Sequence, residues 1–203
     1  MPNKRGKYIV LEGGEACGKS TVHSRLREIY PNAVFVREPG GTEFAEKIRN
    51  IILEKEHSPL TEAYLFATAR AELMESIIKP ALQQGKTVIS DRSVVSSLVY
   101  QGILGELSEQ KVNVINKWAV DYDIDCCILF DVSPDVSCQR IAKRAKAGGG
   151  VNRLDNVSIE KAKALKDAYL RAVKNADFPY YILNANLDIE SMVEKCSHVI
   201  SKI

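Results

Sequence analysis

Residues 12–21 read EGGEACGKST, and their spacing suits one kind of chemistry. Gly13, four residues, Gly18, Lys19 and Ser20 fit G-x-x-x-x-G-K-[ST]. Such a loop wraps backbone N–H groups around the phosphates of a nucleotide, its lysine reaches the terminal phosphates, and its hydroxyl holds Mg²⁺. The nucleotide-binding set is therefore Gly13, Gly14, Glu15, Ala16, Cys17, Gly18, Lys19, Ser20 and Thr21, with Lys19 expected to be exposed at the loop. Glu15 is the odd member. A carboxylate repels phosphate but welcomes a hydroxyl donor, so Glu15 is expected to face something other than the phosphate chain.

Two further groups carry charge that this chemistry can use. TVISD ends in Asp91 and is followed at once by Arg92. An acid beside an arginine at a strand's C-terminal end suits Mg²⁺ held through water, with Ser20 as the other ligand, and a second phosphate held by the arginine. CCILFD has a similar shape and ends in Asp131. The segment RIAKRAKAGGGVNR (140–153) holds five positive residues and no acid around three consecutive glycines. Beside a phosphate site it reads as a closing lid, over about 143–155, that brings an arginine to a transferring phosphoryl group. Arg153 is the first choice for that arginine and Arg144 the second. A guanine-reading Asn-Lys-x-Asp is missing, since Asn116-Lys117-Trp118-Ala119 lacks the acid.

The elements that must position these groups follow from the pattern of apolar runs. YIVLE (8–12), AVFV (33–36), TVIS (87–90), CCILFDV (126–132) and YYIL (180–183) read as strands buried on both faces. Helical patterns fall at about 19–29, 43–54, 60–84, 93–101, 108–121, 134–146, 158–176 and 188–202, with Pro80 placed to kink or end the third. The alternation predicts an α/β fold, a five-stranded parallel sheet flanked by helices on both faces, in one domain over 1–203. REPGGT (37–42) and AKAGGGVN (145–152) read as mobile loops. The net charge of +2 argues against a nucleic-acid polymer as partner. Five cysteines without a C-x-x-C point to a reducing cytoplasm. The start MPNKRGKYIV lacks the apolar stretch of a signal peptide, and no run approaches a membrane span.

EGGEACGKST, REPGGT (37–42), LFATAR (65–70), SDRSVVSSLVYQG (90–102), FDVSP (130–134) and NRLD (152–155) together resemble the thymidylate kinases of bacterial type, within the P-loop nucleoside monophosphate kinases. The resemblance runs from about Tyr8 to Asn186. It implies transfer of the γ-phosphoryl of Mg·ATP to dTMP, yielding dTDP and ADP, in a homodimer. Glu15 then meets the 3′-hydroxyl of dTMP, Phe66 stacks on thymine, and Arg70 bonds a thymine carbonyl oxygen. Ser97 and Gln101 meet the base edge, and Tyr100 blocks a ribose 2′-hydroxyl. Arg49 and Arg92 clamp the dTMP phosphate, and Glu38 lies near that phosphate and Mg²⁺. Lys19, Arg92 and Arg153 carry catalysis, and Ala16 with Arg153 resembles the members whose catalytic arginine sits in the lid. Ser93 departs from the usual aromatic ring or His, the segment after Gln101 is short, and the triple glycine is atypical. Two rivals remain at this stage: another P-loop nucleotide or deoxynucleoside kinase, and a nucleotide-binding switch.

Overall fold

The computed structural model describes residues 5–120, 122–147 and 158–203. Among them, β1 (Tyr8–Glu12), β2 (Val34–Arg37), β3 (Val88–Asp91), β4 (Cys126–Asp131) and β5 (Tyr180–Asn184) form one sheet, ordered β2-β3-β1-β4-β5. Every pairing is parallel. The five strands and their order of hydrophobic runs match the sequence expectation, with boundaries moved by at most one residue.

Helices α1 (Lys19–Ile29), α2 (Glu43–Glu54), α3 (Pro59–Leu73), α4 (Lys79–Gln83), α5 (Val94–Ser97), α6 (Glu109–Asn116), α7 (Pro134–Lys146), α8 (Ile159–Lys174) and α9 (Ile189–Ile200) make the connections. Side-chain caps start several of them: Thr42 accepts from Ala45 N, Ser58 from Thr61 N, Ser108 from Lys111 N and Asp188 from Ser191 N. The period of two along β1 divides the core. Tyr8 and Val10 pack with Leu73, Met74, Val95 and Tyr169 on one face, while Ile9 and Leu11 pack with Val22, Leu26, Met192 and Cys196 on the other. Glu12 continues the first set, so its carboxylate enters the layer that holds α5 and α8.

Four expectations change. The helix expected over 60–84 is α3, a π-helical stretch at Met74–Ile78, and α4 with Pro80 in its first turn. Proline has no N–H to bond back into the helix, and the turn before it widens. The helix expected over 93–101 is α5 followed by a π-helical stretch at Leu98–Ile103. β5 is not buried on both faces: Tyr180, Tyr181 and Ile182 are exposed, because β5 ends the sheet and has β4 alone beside it. The loop at 37–42, expected to be mobile, is tied down. Glu38 N donates to Asp91 O at 2.9 Å and Gly41 N donates to Glu46 Oε1 at 2.8 Å.

β1 lies between β3 and β4, and the chain leaves it toward opposite sides on its two returns. The crevice beyond the carboxyl ends of β1 and β3 is where such sheets take ligands. The loop after β1 and the loop after β3 both open there.

Candidate active site

The loop 13–18 turns from β1 into α1 through backbone angles that few side chains allow. Gly13 has φ 149° and Gly18 has φ 89°. A Cβ on Gly13 would lie 2.8 Å from Phe130 O, and one on Gly18 would lie 2.9 Å from Met192 Cε. Ala16 takes a left-handed φ of 54° and Arg92, leaving β3, one of 74°. A non-glycine residue there is uncommon, and such residues cluster at ligand sites.

The loop borders a cavity of about 710 Å³. Its walls include Gly14 to Thr21, Glu38, Arg49, Phe66, Arg70, Asp91, Arg92, Ser97, Tyr100 and Gln101. The cavity thus gathers residues from the loop after β1 and from β2, β3, α1, α2, α3, α5, the π-helical stretch after α5, and α7. Of the residues singled out from sequence, Gly13 sits behind the wall, packed on Phe130. Arg153, the triple glycine and most of the lid at 143–155 lie outside the described residues. Arg144, the second choice, lines the cavity.

At the phosphate end, Lys19 forms an ion pair with Asp91, and Ser20 Oγ donates to the other oxygen of Asp91 at 2.7 Å. Lys19 is buried, not exposed as the motif suggested, because its ammonium folds onto a carboxylate at the next strand's end. Burial alone would raise the Asp91 carboxyl, but Lys19 and the Ser20 hydroxyl overcome it and hold it down at about 2.

At the other end the side chains form two networks, the first buried and the second partly so. In the first, Arg70 Nε donates to Glu38 Oε2 at 2.7 Å, Nη2 donates to Ser93 O and Ser97 Oγ, and Nη1 donates to Asn116 Oδ1. Burial pushes the Glu38 carboxyl up, against the pull of Arg70. In the second, Arg92 Nη1 donates to the Tyr169 hydroxyl at 2.8 Å and to Ser96 Oγ at 3.0 Å. Ser96 Oγ donates to Glu12, as does Ser93 Oγ, each at 2.7 Å. The Arg92 guanidinium also lies over the Tyr100 ring, 5.5 Å from its centroid, and 3.7 Å from Glu15. Burial works against its charge, yet the surrounding Tyr169, Tyr100 and Glu15 oxygens raise it well above the ordinary arginine range. Tyr100 donates to Glu15 Oε1.

Among the described residues, two buried side-chain oxygens have no partner: Glu15 Oε2 and Glu38 Oε1. Both belong to residues of the cavity wall, and a buried acceptor without a donor is costly. Arg49 donates to Pro39 O at 3.2 Å, and burial followed by neighbouring Arg37 lowers its hold on the proton.

Sequence reasoning missed Glu12, Ser96, Asn116 and Tyr169, which support the arginines, and Arg37, which lines the cavity. It also read Arg140 only as part of a basic run. Arg140 donates to Ala16 O at 3.3 Å, Ala185 O at 2.9 Å and Leu187 O at 3.3 Å, bracing the phosphate loop against the turn before α9. Asp131 pairs with Lys166 of α8 at 2.7 Å.

Comparison with known proteins gives a consistent result. The family model for thymidylate kinase matches residues 11–196. A thymidylate kinase of Mycoplasmoides gallisepticum is 35% identical over 205 residues, covering 98% of this chain and 95% of its own. One from Lactobacillus acidophilus is 38% identical, covering 94% of this chain and 92% of its own. The crystal structure of thymidylate kinase from Ehrlichia chaffeensis superimposes with a TM-score of 0.75 at 25% identity, covering 97% of this chain and 99% of that one.

Proposed function

The chain belongs to the thymidylate kinase family and phosphorylates dTMP with ATP as co-substrate, and from that premise we propose how its residues divide the work. The family match does not favour the two rival readings, a different nucleotide kinase or a switch.

The phosphate loop, Gly13 to Thr21, holds ATP, with its γ-phosphate at Lys19. Arg92 and Arg49 hold the phosphate of dTMP, and Glu38 lies beside it. Phe66 stacks on the thymine, while Arg70, Ser97 and Gln101 meet its polar edge. Tyr100 walls off the position of a ribose 2′-hydroxyl. The observation that carries this assignment is Glu15 Oε2, a buried acceptor in the cavity wall with no donor of its own. The 3′-hydroxyl of a deoxyribose supplies that donor, and a phosphate could not. The test is ADP production with dTMP and with its 3′-deoxy analogue, in the wild type and in Glu15→Gln. The analogue should be the poorer substrate in the wild type, and the difference should shrink in the variant. Equal use of both by the wild type would remove Glu15 from the sugar.

In the transfer, a phosphate oxygen of dTMP attacks the γ-phosphorus as the bond from that phosphorus to the β–γ bridging oxygen breaks, and ADP leaves. The transition state spreads negative charge over the equatorial oxygens, so the protein's part is positioning and neutralisation. Lys19 moves its contact from Asp91 to the γ-phosphate, and Arg92 holds the acceptor in line. Arg153, from outside the described residues, is the further cation the resemblance assigns. Ser20 Oγ and Asp91 provide hard oxygens 2.7 Å apart, a set that fits Mg²⁺ completed by phosphate and water. When bound, Mg²⁺ would neutralise the β- and γ-phosphates.

Two assignments complete the reading. The partner is a second copy of this chain. Phe44 and Ile51 of α2, Leu60 and Tyr64 of α3, Val114 of α6 and Trp118 just beyond it are large, apolar and exposed, Trp118 at 86%. These helices pack side by side, and an apolar patch of this kind marks a protein interface. Sedimentation of the wild type against Trp118→Glu tests it, with a fall from dimer to monomer expected. The compartment is a reducing cytoplasm, in keeping with five cysteines none of which is in a disulfide; among the described residues no helix is long and apolar enough to cross a membrane.

A further inference from the structure

Arg70 carries five N–H hydrogens, and four have partners among the described residues. Glu38 takes the one on Nε, Ser93 O and Ser97 Oγ take those on Nη2, and Asn116 Oδ1 takes one on Nη1. One Nη1 hydrogen is left. Asn116 is the partner of the nitrogen whose second hydrogen is unspent. Asn116 is itself held: it is 3% exposed, and its Nδ2 donates to Val112 O at 2.8 Å one turn back along α6. That bond decides which end of the amide faces Arg70, since a carbonyl accepts only from the NH₂ side. Asn116 does not line the cavity, whereas Arg70 does. Whatever Asn116 contributes to the site passes through Arg70.

We infer that Asn116 is a positioning residue for reading the acceptor base: it aims the spare Nη1 hydrogen of Arg70 into the cavity, where a pyrimidine carbonyl oxygen accepts it. The guanidinium is planar and its five N–H hydrogens keep fixed directions relative to one another, so the bond to Asn116 helps set the tilt and place of the whole plane; without it the plane settles where Glu38, Ser93 and Ser97 alone draw it, with two Nη1 hydrogens uncommitted. A cytosine presents an amino group where thymine presents the carbonyl, and two donors then face each other. The sharper the aim of Arg70, the larger that penalty. Asn116 therefore adds to the preference for thymine while touching no substrate. The inference rests on the assignment of Arg70 to the base.

The experiment measures kcat and KM for dTMP, dCMP and ATP in Asn116→Leu, Asn116→Asp and Arg70→Lys. Asn116→Leu keeps the volume and removes the acceptor. Its KM for dTMP should rise about tenfold, by more than kcat falls, with the KM for ATP unchanged, and its preference for dTMP over dCMP should drop by a similar factor. Asn116→Asp keeps an oxygen toward Arg70 and should recover most of that preference. A merely structural role would lower the melting temperature without moving the base preference or being rescued in this way. If Asn116→Leu does not fold, Asn116→Ser carries the test, since its hydroxyl is too short to reach Nη1 and leaves no clash. An unchanged base preference in either folded variant overturns the inference when Arg70→Lys does change it. If Arg70→Lys leaves the preference unchanged too, the assignment of Arg70 to the base fails instead.

Discussion

The two halves of the cavity are built from different materials. The phosphate end is mostly backbone, a loop of six residues whose shape follows from two left-handed glycines and one helix N-terminus. The acceptor end is mostly side chains, with arginines held by partners from distant parts of the chain: Arg70 by Glu38, Ser93 and Asn116, and Arg92 by Ser96 and Tyr169. A backbone cradle suits a ligand end that every nucleotide shares. A side-chain lattice suits the end that must tell one base and one sugar from another, because its aim is set by many contacts and one substitution can change it.

The sharpest test of this contrast falls on Lys19, the cation of the phosphate loop itself. Lys19→Ala should lower turnover by about 10³-fold or more, since the lysine acts on charge that grows during transfer. Single-turnover ADP production measures it, with dTMP affinity as the companion value. If the halves are separate in function, dTMP binding should stay within about threefold of wild type. A large loss of dTMP affinity would join the halves.

The acceptor lattice predicts the opposite pattern, in stability first. Glu38→Gln takes the counter-ion from a guanidinium that is 2% exposed. Breaking one partner of a buried ion pair costs about 3 kcal/mol or more. Ser20→Ala at the phosphate end involves an exposed residue and should cost about 1 kcal/mol or less while still reducing activity. Urea midpoints of the two variants give the comparison, and equal destabilisation would erase it.

The same contrast explains what the sequence revealed. The phosphate loop was legible because its residues are adjacent and its backbone needs glycine at fixed spacing. The strands were legible because burial on two faces leaves continuous apolar runs, and β5 misled because its tyrosines look the same at an open edge. The acceptor arginines could be named through the family's motifs, but not their supports. Nothing local marks Glu12 as different from any strand-ending acid, or Tyr169 as different from a core aromatic, and Arg92 reaches Tyr169 across 77 positions of chain. The π-helical stretch carrying Tyr100 and Gln101 escaped for a related reason, since its apolar spacing reads as an ordinary helix.

Selectivity is the next smaller effect. With Arg70 offering a donor to the base, dTMP should exceed dCMP in kcat/KM by about 10²-fold or more. The two ends again separate: exchanging ATP for GTP as donor should matter far less, because the loop reads phosphates. Parallel kcat/KM values for the two acceptors and the two donors decide the point, and a donor preference as steep as the acceptor preference would show that the phosphate end is backed by base-reading side chains after all.

The smallest effect sits where the phosphate end does depend on a side-chain pair. Asp91 is held at about 2, below its ordinary 3.8, by Lys19 and Ser20 against the opposing push of burial. A carboxyl lowered in the folded state stabilises above its unfolded value and loses that contribution as pH falls through the folded one. The pair should therefore contribute about 2 kcal/mol near neutrality, an amount that fades between about pH 4 and pH 2. Other acids titrate in the same range, so the wild type alone does not isolate it. Lys19→Met does, because it removes the attraction and leaves Asp91 buried with only Ser20 and Arg92 to favour its charge. The variant should be less stable than wild type at pH 7, and the gap should begin to narrow toward pH 3, because Asp91 is by then mostly protonated in the unfolded chains while the folded wild type still holds it ionised. Urea unfolding of the two proteins at half-unit steps from pH 3 to pH 7 follows the gap. A gap that stays constant over that range would mean that Lys19 is held by packing and not by Asp91, and the phosphate end would then be as free of side-chain lattice as its loop suggests.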